Sequence, residues 1–92
     1  MFGATDPEQA IAQLEAYYRE GRGERAEVMA SALVDQLMAQ KDRDDYTQGI
    51  LVRGLRILAG VLNSRQKYKR ARITVGLLHK HRNKHGKAVG HD

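Results

Sequence analysis

Apolar side chains return every three or four positions along most of this chain, which is the spacing of a helix that buries one face. Four segments follow that rule. The first is predicted from Pro7 to Glu20, with Ala10, Ile11, Leu14, Tyr17 and Tyr18 in one stripe. Asp6 suits its N-cap, and Gln9 is placed to reach back to that cap. Pro7 suits the first helical position, where its missing N–H would have no partner. Gly21-Arg22-Gly23 then breaks the pattern, and one of these glycines can take the left-handed conformation that closes a helix. The second helix is predicted from Glu24 to Gln40, burying Ala26, Ala30, Leu33, Val34, Leu37 and Met38. Glu24 and Glu27 lie near the positive end of its dipole.

After a polar connector (Lys41-Asp42-Arg43-Asp44), the third helix is predicted from Asp45 to Ser64, with Asp44 or Asp45 as cap. Leu51, Leu55, Leu58 and Leu62 form its stripe, and Ile50, Ile57 and Val61 widen it. A helix apolar on more than one side belongs at the centre, with neighbours on two faces. Gly49, Gly54, Ala59 and Gly60 are a weak choice for helix stability. Their expected use is close approach by another helix. The fourth helix is predicted from Lys67 to Lys84, with Tyr68, Ala71, Val75 and Leu78 on one face. Residues 1–6 then form an N-terminal lead, 7–84 a single domain and 85–92 a flexible basic tail. The fold class is all-α: four antiparallel helices, read as two helix-turn-helix pairs.

Composition narrows the chemistry. The chain has 92 residues, enough for one domain. It has no cysteine, which excludes disulfides, thiolate metal sites and thiol nucleophiles. No apolar run reaches the roughly 20 residues of a membrane span, and the N-terminus lacks the pattern of a signal peptide. The expected location is cytoplasmic, with no membrane association. Charge is divided: residues 1–46 carry ten acids and five Lys/Arg, whereas residues 47–92 carry one acid, Asp92, and eleven Lys/Arg. Two halves of opposite sign either attract each other or offer the basic half to an acidic partner.

The two halves also resemble each other. Ala26 and Ala71 stand 45 positions apart near the start of each second helix, and residues 14–26 align with 58–71 when one gap is allowed. Leu55, Leu58, Ala59, Leu62, Tyr68, Ala71, Val75 and Leu78, with the run Lys67-Tyr68-Lys69-Arg70-Ala71 between the helices, resemble a tetratricopeptide repeat of the longer kind found in kinesin light chains. Gln66 stands where that family has a turn glycine, and Asn83 where it has a closing proline. In the first half Tyr17, Gly21 and Ala26 fit, but Leu14 occupies a small-residue position. The resemblance implies two stacked hairpins and a protein–protein interaction module, an adaptor or assembly subunit. Two repeats leave both ends of the stack uncovered, so self-association or a hetero-complex is expected.

In that family the first helix of each repeat lines a peptide groove. The matching positions of the second half are Arg53, Arg56, Gly60 and Asn63, and two guanidinium forks would suit an acidic peptide or a terminal carboxylate. The first half offers Glu8, Ile11, Glu15 and Tyr18, which make no anion site. Taken singly, Arg53 and Arg56 are more simply read as the solvated face of helix three. Arg65, Lys67, Lys69, Arg70, Arg72, Lys80, Arg82 and Lys84 form a basic patch that could follow a phosphate backbone, so a nucleic-acid-binding domain is the alternative function. Only Tyr68 interleaves them, and it is more simply read as a core residue. His81 and His85 share a helical face, but so much positive charge disfavours a metal cation, and neither a metal nor a cofactor is expected. No nucleophile stands beside a base, and no glycine loop suits phosphate. No enzymatic activity is expected.

Overall fold

A computed structural model describes residues 6–90, with side-chain surroundings given as far as Arg82. Four helices follow one another: α1 (Pro7–Arg19), α2 (Gly23–Met38), α3 (Asp45–Ser64) and α4 (Tyr68–Gly90). Each packs on its neighbour in sequence, and α1 also packs on α3. The domain measures 41 × 30 × 20 Å. Its thinnest dimension is two helix diameters, so it is a two-layer slab.

The helix ends follow from local chemistry. Asp6 caps α1 and accepts from the Glu8 N–H at 3.4 Å, with Pro7 at the first position. Asp44 rather than Asp45 caps α3, accepting from the Thr47 N–H at 2.7 Å. That backbone hydrogen bond holds the Asp44 carboxyl below its ordinary value. Helix α2 has no side-chain cap at its start, but Arg43 serves its other end. The Arg43 guanidinium donates to the carbonyls of Leu37 and Gln40 and to Gln48 Oε1, while Gln48 Nε2 donates to the His81 carbonyl of α4. The connector is thereby tied to three helices through two side chains.

Helix α3 is the centre of the domain, as its wide apolar surface predicts. Leu51, Leu55 and Leu62 are fully buried, facing Ile11 and Leu14 of α1, Leu33 and Leu37 of α2, and Ala71 and Leu78 of α4 in one core. Each such leucine contributes about 1.5–3 kcal/mol by leaving water. The small residues of α3 have different uses. A methyl group at Gly60 would lie 2.6 Å from the Tyr18 hydroxyl, so only glycine lets that ring rest there. At Gly54 it would meet Val34 at an ordinary 3.5 Å, and at Gly49 it would meet nothing within 4 Å. Close packing therefore explains Gly60 and leaves Gly49 unexplained.

Five boundaries differ from the sequence reading: α1 ends one residue earlier, at Arg19, and α2 ends two earlier, at Met38. Helix α2 begins one residue earlier, at Gly23, and α4 begins one later, at Tyr68. The larger difference lies at the end, where helical backbone continues to Gly90 through the segment expected to be an irregular tail. No proline interrupts it, and lysine and histidine near a helix C-terminus complement the dipole. Most of the N-terminal lead lies outside the described residues, as do His91 and Asp92. No described helix is long and apolar enough to cross a membrane.

The turns within the two helix pairs have the same hydrogen bonds, 45 residues apart. At the first, Gly21 N–H donates to the Tyr18 carbonyl, Arg22 to Tyr17, and Ala26 to Arg22. At the second, Gln66 donates to Asn63, Lys67 to Leu62, and Ala71 to Lys67. Gly21 (φ 78°) and Gln66 (φ 65°) both take the left-handed conformation that ends a helix in this way. The correspondence needs no gap, so the gap allowed in aligning 14–26 with 58–71 is unnecessary. Leu14 pairs with Ala59, not Leu58.

Candidate interaction surface

The four positions carried over from the repeat resemblance lie along one stripe of α3, but they do not form one site. Arg53 Nη2 is 2.7 Å from Glu15 Oε2, so this cation is engaged by α1. Gly60 lies under Tyr18. Arg56 and Asn63 are exposed, and Asn63 lines a groove between α3 and α4. Of the two arginines proposed to hold an anion together, only Arg56 has no ion-pair partner among the described residues.

The basic patch divides in the same way. Arg65 Nε, Lys67 Nζ and Arg70 Nη1 all reach the Glu27 carboxylate, at 2.8, 2.8 and 3.0 Å. Glu27 is nearly buried on α2, 8% exposed. The hydrogen bond from Lys67, reinforced by the fields of Arg65 and Arg70, outweighs burial and holds its carboxyl below the ordinary value. Sequence reasoning placed Glu27 at a helix start and the three cations in a surface patch, and the available signal was the opposite charge of the two halves. Lys69, Arg72, Lys80 and Arg82 are exposed, with Arg82 3.5 Å from His79 Nδ1. His81 is buried, and the side chains of Lys84 and His85 lie outside those described. Among the described residues, no three potential metal ligands come together.

The groove beside Asn63 was not singled out as a site from sequence. Ala59, Gly60 and Asn63 form one wall, Tyr68, Ala71, Arg72 and Val75 the other, and its volume is about 520 Å³. Its meaning comes from the repeated turn. Moved back by 45 positions, these residues become Leu14, Glu15, Tyr18, Gly23, Ala26, Glu27 and Ala30. That is the face of the first helix pair on which the second half rests. Tyr18 lies on Gly60, Glu15 holds Arg53, the Arg65 side chain crosses Gly23, and Glu27 takes the three cations. Ala30 is fully buried there, whereas its counterpart Val75 is 37% exposed. The face covered on α1 and α2 is thus open on α3 and α4.

No protein-family model, characterised protein or solved structure matches the chain.

Proposed function

We propose that this chain is a protein–protein interaction module of the tetratricopeptide-like kind, an adaptor or assembly subunit, that works through the open end of its helix stack. The observation that carries this reading is the repeated turn with its unequal cover: equivalent faces exist on both helix pairs, and only one is filled from within the chain. Apolar surface held open beside a well-packed core is the usual mark of an interface. The gap-free 45-residue spacing and the left-handed Gln66 in place of the turn glycine support the resemblance to the repeat family. Binding of a nucleic-acid backbone is the weaker reading, because Glu27 already engages three of its eight cations.

Two measurements test the proposal. Sedimentation across a wide concentration range reports self-association, and crosslinked pull-down from native extract reports a different partner. Both are compared with Val75→Asp, which places a charge in the groove without touching the core. The expected result is an association in one of the two measurements that Val75→Asp removes. A chain that stays monomeric and retains nothing that Val75→Asp releases would overturn the reading. Leu51 and Leu58 are unsuitable as probes because both are buried, and a charge there would unfold the domain.

A further inference from the structure

We infer that the α3–α4 groove receives an amphipathic helix with an acidic flank, contributed by a different protein and seated as α3 is seated on α1 and α2. This rests on the interaction-module reading and names the chemistry of the partner. Ala59 on one wall and Ala71 on the other are small residues that let a helix approach closely, and Val75 and Tyr68 offer apolar area to its buried face.

The charge of the partner follows from one exchange between the two faces. On the covered face the charged position of α2 is Glu27, and the arriving segment brings Arg65, Lys67 and Arg70 to it. On the open face the equivalent position is Arg72, so a segment arriving in the same way must bring acids where the first brought bases. Exposed Arg56 and Arg82 add to the same field, and residues 47–90 contain no acid at all. Opposite charge at such a rim selects the partner and speeds its approach. A second copy of this chain fits less well. Its own first turn would bring Glu20, Arg22 and Arg25 to the places of Arg65, Lys67 and Arg70, so two cations and a single acid would meet Arg72.

The test uses the whole chain and a labelled synthetic peptide, residues 45–70 carrying R65E, K67E and R70E. Those acids also prevent the peptide from replacing α3 beside Glu27. Fluorescence anisotropy should show binding at low salt that weakens at least tenfold with Arg72→Glu and also with Val75→Asp. Circular dichroism should show unchanged helicity and melting in both variants, since both side chains are exposed. Equal affinity for the native and Arg72→Glu chains, or no binding by either, would overturn the inference. If a partner is still captured in a Val75-dependent manner, the interaction module stands while its acidic helix falls. Concentration-dependent pairing of the chain that Arg72→Glu strengthens would assign the groove to a second copy, which also overturns it.

Discussion

Lys67 Nζ and Glu27 Oε2 meet at 2.8 Å across 40 residues of sequence, joining the residue that precedes α4 to α2. With Arg65 and Arg70 on the same carboxylate, this contact links the acidic half of the chain to the basic half. Surface ion pairs contribute little one at a time. This one differs because its acid is nearly buried and faces three cations, two of which donate hydrogen bonds to it.

Stability should therefore depend on pH through Glu27. Its carboxyl is held below 4.5, the value it regains when the chain unfolds. The ionised form is then favoured by folding, so the contribution is fully present above about pH 5 and disappears as pH falls through the lower folded value. Glu27→Gln should cost about 1.5–3 kcal/mol at neutral pH and flatten the acid limb of a stability–pH curve. Urea titrations of both proteins between pH 3 and pH 7 measure this. Parallel curves would show that Glu27 does not carry the dependence.

Gln66 carries a conformational cost that Gly21, its counterpart, does not. A side chain in the left-handed region costs roughly 1–2 kcal/mol, and glycine gives back part of that through a freer unfolded chain. Gln66→Gly should raise stability by about 0.5–1 kcal/mol without moving either helix. Gly21→Gln should lower it by a similar amount. Thermal melts of the two variants check both signs.

The glycines of α3 should respond differently to alanine. Gly49→Ala meets open space in a helix and should stabilise by up to about 1 kcal/mol. Gly60→Ala gains the same helical preference but must displace Tyr18, so its net effect should be near zero. Its signature is a change in tyrosine fluorescence that Gly49→Ala does not produce.

Much of the fold was legible in the sequence because its signals are local. The Asp6 and Asp44 caps, the glycine break and the apolar stripe of α3 each act within a few residues of themselves, and the helices start and stop close to where those signals lie. The 45-residue spacing was visible too, in Ala26 and Ala71. The site was legible only in part. Arg53, Arg56, Gly60 and Asn63 do share a stripe, but whether that stripe faces water depends on Glu15 and Tyr18, which arrive from another helix. Likewise Arg65, Lys67 and Arg70 are a plain run of charge until the path of α2 places Glu27 among them. An uncovered end was expected from the count of two repeats, but the residues lining the groove could not be read, since an open face is defined by what fails to cover it.

The order in which these helices pack has a kinetic side. Because each helix rests chiefly on its neighbour in sequence, most native contacts close over short stretches of chain, the topology that folds fastest. Such an arrangement opens from its ends, since each terminal helix loses fewer partners than α3 would. The Glu27 cluster and the Arg43–Gln48–His81 chain cross from the middle of the stack to α4 near its beginning and farther along it. They act as two fasteners on a helix that packs chiefly on α3, and a segment seated in the groove would add a third. The helix pair that offers the open face is thus the one whose own closure such a partner would complete.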